Sequence, residues 1–493
     1  MQGFVLGFNM NISVNNIKET NCRCDVLILP ITEGDSDLYK NLGASIRKLI
    51  KKIFSKEFSG KQNEVLIIPA PSDIRAGRIL LIGLGKKAEA SAERIRQAGG
   101  KAAAYLRDMG MKNAALSTAV ISSLKLSPAD FAEGALLGLY TFKKYQTKNN
   151  DKKLRSLIVL SHSRELKKNI DRIKAITSAV YFSKDLINTP SNDMTPAHLA
   201  KAALSLKNKR ISVKVFGRRD AERLGMNVYL SVTKGSHEQP KFIVLEYKGA
   251  KSKPLALIGK SITFDSGGIS LKPSDGMEKM KYDMAGGAAV LGVLKAASEL
   301  KLPVNLVGIL PATENLPGGS ATKPGDIAKA ITGKTVEIIN TDAEGRLILA
   351  DAIGYAIKHF KPRAIIDIAT LTGACSVALG NEAIAMMGND RKLLDDIKKS
   401  AKNTYERVWE MPLFDEYKEY IKSDIADIKN TGGKNGSLVT AAYFLYEFAE
   451  KTPWVHLDIA GTAWVEKDKP YIPKGASGIG VRLIIDYLRS ALR

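Results

Sequence analysis

The stretch LALIGKSITFDSGG, residues 255–268, opens as an unbroken apolar run, then carries Lys260 inside the run and Asp265 at its exit. A run without polar alternation suits a strand covered on both faces, as in a parallel sheet flanked by helices. A charged amine inside such a strand is costly unless it is paired or coordinated. The surrounding chain keeps the same alternation. ISVKVF (211–216) and FIVLEYK (242–248) precede it; a helix through GGAAVLGVLKAASEL (286–300), VNLVGILPA (304–312), VEIIN (336–340), a helix through LILADAIGYAIKHF (347–360) and AIIDIAT (364–370) follow. This pattern predicts an α/β architecture with a doubly wound, mostly parallel central sheet.

At 493 residues the chain exceeds one typical domain. Upstream, CDVLILPI (24–31), EVLIIPA (64–70), GRILLIGLG (77–85) and RSLIVLS (155–161) read as buried strands bounded by Gly, Pro or Asp. Between them, 91–109 and 127–142 have helical spacing, the second opened by Ser127 as cap with proline in the next position. A long helix over 164–189, ended by Pro190, forms the natural connector. The expected organisation is a smaller N-terminal α/β domain (1–162), a linking helix (163–189) and a larger C-terminal α/β domain (190–493).

Composition narrows the setting. Three cysteines, Cys22, Cys24 and Cys375, argue against a disulfide framework and fit a reducing cytoplasm. The Cys22-Arg23-Cys24 pair has no second pair to complete a zinc site. No stretch reaches the roughly 18 uninterrupted apolar residues of a membrane span. The opening MQGFVLGFNMNISVNN lacks the basic segment of a secretory signal. The formal charge is +23, from 74 Lys and Arg against 51 Asp and Glu, concentrated in runs such as IRKLIKKIFSK (46–56), FKKYQTKNNDKKLR (142–155), RELKKNIDRIK (164–174) and KNKRISVKVFGRR (207–219). Such a field attracts nucleic acid or anionic surfaces. With no interleaved aromatics and no helix-turn-helix pattern, a solvated lysine-rich surface is the favoured reading.

In open α/β sheets, ligands collect where loops leave the carboxyl ends of strands, and those positions are charged here. Asp265 follows the strand bearing Lys260, with Lys272 beyond a double glycine; Asp283 precedes a helix of small residues; Asp342, Glu344 and Arg346 follow VEIIN in NTDAEGRL (340–347). Taken singly, Asp283 reads as a helix cap, Asp265 as an Asx turn, and Asp342 and Glu344 as residues leading into a helix that starts near Leu347. Together with a lysine in an apolar strand, those readings weaken. GKS (259–261) and GKT (333–335) do not complete a phosphate loop, because Pro254 and Ala328 stand where its first glycine belongs. With five histidines and no HExxH, a histidine-based zinc protease is excluded; a serine triad lacks support, since there is no GxSxG and no histidine lies in these motifs. The four acids instead match the charge of two divalent metal ions, and oxygen donors suit Mn²⁺, Mg²⁺ or Zn²⁺.

GKSITFDSGGISLKPSDGMEKMKYDMAGGAAVLG (259–292) and NTDAEGRLILADA (340–352) resemble the two signature blocks of the leucyl (cytosol-type) aminopeptidases, dinuclear metallo-exopeptidases. The likeness continues through LINTPSNDMTP (186–196), ENLPGGSATKPGDI (314–327), ATLTGA (369–374), HLDIAGTAW (456–464) and GASGIGVRL (475–483), strong from about 170 onward and only in outline before it. The resemblance implies that Asp265, Asp342 and Glu344 serve one metal, and that Lys260, Asp265, Asp283 and Glu344 serve the other, as Mn²⁺ or Zn²⁺. It implies a metal-bridging water that becomes hydroxide and attacks the scissile carbonyl, with Lys272 stabilising the oxyanion and Arg346 holding a bicarbonate as proton shuttle. Met280, Asn340, Thr370, Leu371, Gly373 and Ala460 would then form an apolar substrate pocket suited to N-terminal leucine. It further implies a macro-like N-terminal domain, peptide substrates and a cytoplasmic homohexamer without membrane attachment. Some relatives also bind DNA, which the +23 charge keeps as an alternative role. Two departures stand out: Ser261 where Gly is common and Gly287 where Ala is usual. A third, GMNVY (225–229), replaces a glycine-rich turn.

Overall fold

Continuous apolar runs become central strands because their residues find cover on both faces, and the two sheets follow this rule closely. The structure, a computed structural model, describes residues 10–34, 43–54, 56–147 and 152–490. These form two compact units: 10–178 with 466–474, and 179–465 with 475–490. The long helix Arg164–Asn188 contributes to both.

In the first unit, Val26–Ile31 is buried at every position and lies at the middle of a sheet that has six strands among the described residues. It pairs in parallel with Arg78–Gly83 and Asn113–Ser117; Ser156–Leu160 and Asn11–Asn15 extend the sheet in parallel, and Val65–Pro69 closes the other edge antiparallel. Helices Ala92–Asp108 and Pro128–Gly138 flank it, and the Ser127 hydroxyl accepts from the Ala129 N–H at 3.2 Å, as its capping role requires. The basic run at 46–56 is explained by helix Gly43–Ile53, which buries Ile46, Ile50 and Ile53 and turns Arg47, Lys48, Lys51 and Lys52 outward.

The second unit is built on a nine-stranded sheet among the described residues. Its centre is parallel: Ala364–Ala369, Leu255–Gly259 and Asn305–Asn315 run side by side, and Trp454–Asp458 joins Ala364–Ala369. Its flanks are antiparallel through Lys241–Lys248 with Ile211–Phe216, and through Ile384–Gly388. Helices Ala285–Glu299 and Glu344–Phe360 pack on the central strands, and Phe242, Phe444, Phe448 and Trp454 anchor the core. Among the described residues, no helix is long and apolar enough to cross a membrane.

Three local expectations change. LALIGKSITF is interrupted at Lys260, yet its two parts keep one register on Asn305–Asn315 as far as Ile262, Ile258 opposite Ile309 and Ser261 opposite Ala312, before an irregularity shifts the pairing ahead of Asp265. The break arises because the Lys260 N–H turns to the Ile368 carbonyl at 3.0 Å and its own carbonyl takes the Gly287 N–H at 2.8 Å. VEIIN does not join the main sheet; Thr335–Ile338 pairs with Asp326–Lys329 and Ile428–Lys429 in a separate three-stranded sheet. The following helix begins at Glu344, not near Leu347, so Glu344 and Arg346 belong to its first turn.

Candidate metal centre

Three structural exits converge. The strand Ser261–Asp265 delivers Asp265, the helical segment Met277–Met284 delivers Met280 and Asp283, and the turn before helix Glu344–Phe360 delivers Asp342. Glu344, in the first turn, presents its acid near the positive end of that helix. Carboxylate oxygens of Asp265, Asp342 and Glu344 all lie within 4.8 Å of one another.

Two ammonium groups lie among these acids. Lys260 Nζ stands 2.8 Å from Asp283 Oδ2 and 2.8 Å from Glu344 Oε1, and donates to the Thr370 carbonyl at 2.9 Å. Lys272 Nζ lies 2.9 Å from Asp265 Oδ2 and also contacts Asp342 Oδ1. Burial opposes charge on both lysines, but the surrounding carboxylates outweigh it and hold both pKa values above the ordinary range. Asp283, Asp342 and Glu344 are displaced upward as well. Burial is the main cause for Asp283, Asp342 and Glu344, and repulsion from neighbouring acids adds to it against the pull of the lysines. Four acids thus share two amines, an imbalance that divalent cations relieve.

Glycine makes this crowding possible. A Cβ on Gly345 would come 2.6 Å from Lys260 Cε and 2.8 Å from its Nζ, so only glycine lets the helix pass this close to the amine. The two departures at 261 and 287 also meet: a Cβ on Gly287 would stand 2.2 Å from Ser261 Oγ. The hydroxyl of one fills the space that the methyl of the other would need.

The residues present fit divalent ions. Glu344 Oε2 is buried without a hydrogen-bond partner, an expensive arrangement for a carboxylate oxygen. Mixed carboxylate oxygen and amine donors are of the type that Mn²⁺ and Zn²⁺ accept.

Around this centre, the Arg346 guanidinium is buried, donates from Nη1 to the Asn430 carbonyl at 2.8 Å and keeps a buried Nε without a partner. Burial pushes its pKa down to about 10. Thr370 donates its hydroxyl to Asp283 Oδ1 at 2.6 Å, and the Asn340 side-chain oxygen accepts the Asp342 N–H at 2.8 Å. Leu371 and Ala460 are half-buried, and a Cβ on Gly373 would meet nothing within 4 Å. Every candidate site residue taken from the sequence therefore lies in the second unit, and the two lysines with the four acids form one cluster, joined by the approach of Asp265, Asp342 and Glu344.

Several supporting residues were not singled out. Asn430 is fully buried; its Oδ1 accepts the N–H groups of Ile339 and Asn340, and its Nδ2 donates to the carbonyls of Asn340 and Ala343. Asn315 Nδ2 donates to Asp265 Oδ1 at 2.8 Å and to the Thr341 carbonyl at 3.0 Å, joining the two halves of the centre. Asp367 accepts from Trp454 Nε1 at 2.7 Å and lies 2.5 Å from His456 Nδ1; burial opposes charge on His456, but Asp367 raises its pKa. Asparagines within KNTGG (429–433) and ENLPGG (314–319) were the available signal, since turn asparagines commonly bind backbone.

A mixed α/β sheet whose strand ends carry a buried, acid-rich cluster defines a centre suited to divalent cations, of the kind hydrolases use. Comparison with known proteins gives the family. The catalytic domain of the cytosol aminopeptidase family matches residues 181–485, and its N-terminal domain matches 31–149. A probable cytosol aminopeptidase of Geobacter sp. is 49% identical over 456 residues, covering 91% of this chain and 92% of its own. One from Geobacter sulfurreducens is 47% identical over 498 residues, covering 98% and 100%. Among solved structures, a variant of tomato leucine aminopeptidase superposes with a TM-score of 0.87 at 33% identity, covering 97% of this chain and 96% of that one. The bottromycin maturation enzyme BotP, in complex with Mn, gives 0.86 at 31% identity, covering 95% and 100%. The chain belongs to the cytosol aminopeptidase family and is an aminopeptidase.

Proposed function

We propose that this aminopeptidase is metal-dependent and releases N-terminal leucine and other apolar residues from peptides. The observation that carries the reading is the convergence of Asp265, Asp342 and Glu344 within 4.8 Å, beside Lys260 and Asp283. Asp265, Asp342 and Glu344 would hold one divalent ion; Lys260, Asp265, Asp283 and Glu344 would hold the second. When bound, such ions supply Lewis acidity toward the scissile carbonyl and ionise water near neutral pH. The Mn complex of BotP supports Mn²⁺ as one suitable ion.

The chain's own groups do the rest. Lys272 brings a positive charge to the side of the cluster formed by Asp265 and Asp342, where it would stabilise the oxyanion of the tetrahedral intermediate. Arg346 would hold a bicarbonate as proton shuttle, and its unpartnered, buried Nε supports an anion there. Thr370, tied to Asp283, carries the pocket wall of Leu371 and Gly373 up to the reacting centre, with Met280, Asn340 and Ala460 as the remaining contacts. Family membership supports a cytoplasmic homohexamer. The +23 charge supports one second reading, an accessory association with DNA. A footprint on a defined site that persists in the Asp342→Ala protein would establish it.

Hydrolysis of leucine anilide, with Mn²⁺ added and after chelation, tests the main reading. Activity is expected only with metal and only on a free N-terminus. Turnover that survives complete metal removal, or that is confined to N-blocked peptides, overturns it.

A further inference from the structure

Asp458 ends the strand Trp454–Asp458 and is fully buried, yet it faces neither of the two lysines of the metal centre. Its Oδ1 accepts two backbone N–H groups, from Leu371 at 3.1 Å and Ala460 at 3.0 Å. Its Oδ2 accepts the Thr372 hydroxyl at 2.8 Å. That hydroxyl in turn accepts the Cys375 N–H at 3.1 Å and caps helix Gly373–Leu379. Next to it, the Ile459 N–H reaches the Ala369 carbonyl at 2.8 Å, so the strand ends are already locked before the pocket begins. The loop 370–373 is held on its other side by Lys260 and Asp283 through Thr370.

We infer that Asp458 is a positioning residue that fixes the shape of the pocket for the substrate's N-terminal side chain. The inference rests on the aminopeptidase reading and on that pocket being formed by Leu371 and Ala460. Both segments of the wall end on a single carboxylate oxygen, so their separation is set by one atom. Two N–H groups bonded to the same buried acceptor cannot drift apart without leaving a polar group unsatisfied. The second oxygen, engaged by Thr372, prevents the carboxylate from rotating. The wall is thus rigid for a reason that owes nothing to the metal ligands, and a rigid wall is what discriminates side chains differing by a few methylenes.

Asparagine at this position retains one oxygen for both N–H groups and turns its amide toward the Thr372 hydroxyl, which can accept. Alanine retains nothing. The test compares kcat and KM for leucine and alanine anilides, with Mn²⁺ content measured on the same samples. Asp458→Ala is expected to lower the leucine-to-alanine ratio of kcat/KM by about tenfold or more, the discrimination a few methylenes carry. The loss should fall mainly in KM for leucine, with metal content unchanged, and Asp458→Asn should restore most of the ratio. Thr372→Val frees Oδ2 and, with it, the Cys375 N–H that the hydroxyl caps, and should lower the ratio partially, with Thr372→Ser restoring both bonds and the ratio; this pair serves where Asp458→Ala does not fold. An unchanged ratio in active Asp458→Ala or Thr372→Val enzyme overturns the role of Asp458 alone, as does an equal fall for both substrates. A wild-type enzyme inactive on both anilides overturns the aminopeptidase reading together with this one.

Discussion

Ser261 and Gly287 should behave as one coupled unit. Gly287 is buried in helix Ala285–Glu299 and Ser261 is fully buried in the adjoining strand. The methyl of Gly287→Ala would stand 2.2 Å from Ser261 Oγ, 3.3 Å from its Cβ and 3.1 Å from Leu310 Cδ2. Overpacking of this kind costs about 1–3 kcal/mol. Replacing glycine by alanine inside a helix offsets that by about 1 kcal/mol. Gly287→Ala alone should therefore be neutral to destabilising by roughly 2 kcal/mol. Adding Ser261→Gly removes the obstructing hydroxyl and leaves the helix gain, at the loss of the 2.9 Å bond from Ser261 Oγ to the Gly259 carbonyl. The coupling between the two changes should then be about 1–3 kcal/mol in favour of the double variant. Guanidinium unfolding of the four proteins at one fixed Mn²⁺ concentration measures it, because bound metal itself shifts apparent stability. Lys260 precedes Ser261 in the chain and its carbonyl bonds the Gly287 N–H, so Mn²⁺ retention should follow the same pattern: lost in Gly287→Ala, recovered in the double variant. Effects additive within about 0.5 kcal/mol would refute the reasoning, since serine would then be escaping into another rotamer at no cost.

Other expectations can be checked directly. Lys272→Ala should lower kcat by about 100-fold or more while metal content, read by atomic absorption, changes little; loss of metal instead would mean that the roles of Lys272 and Lys260 are exchanged. Asn430→Ala leaves the N–H groups of Ile339 and Asn340 without their acceptor, at about 1–3 kcal/mol each; metal affinity should fall although no ligand has changed, and unchanged affinity would show that the turn holds itself. Burial raises the pKa of Asp351 to about 7, although it accepts the N–H groups of Tyr229 and Ile331. An acid raised on folding contributes stability that is full below its unfolded value of about 4 and is lost as pH rises through about 7. Asp351→Asn should remove that slope from the pH dependence of unfolding, and identical slopes in both proteins would contradict the assignment. Duplex DNA of arbitrary sequence should be held weakly and released steeply with added salt, as a solvated basic surface predicts.

Much of the architecture was legible because it rests on local pattern. The runs at 26–31, 255–259 and 364–369 could only be buried strands, and Ser127 announced its helix. Lys260 was legible as an anomaly, and anomalies in apolar strands point to sites. The strands Asn11–Asn15 and Asn113–Ser117 escaped because polar ends and short length weaken their signal; they become strands by pairing with Ser156–Leu160. The separate sheet of Thr335–Ile338 could not be read, since Val336 and Ile338 look alike whichever sheet buries them. Asn430 could be marked by KNTGG (429–433) as a turn asparagine that binds backbone, but its partner could not be read, for a related reason. An uncharged amide does not say locally which turn it binds, here one some ninety residues earlier, and only the folded chain brings them together.

The segment 466–474, which belongs to the first unit although it lies near the end of the chain, bears on how the molecule is made. The Tyr471 hydroxyl donates to Glu93 Oε2 at 3.0 Å, and Glu93 shares the buried guanidinium of Arg96 with Asp130 and Glu133. During synthesis the ribosome delivers Glu93 and Arg96 hundreds of residues before Tyr471. The N-terminal unit therefore leaves the exit tunnel missing one of its own parts, and it can reach its final form only after the aminopeptidase half has been translated.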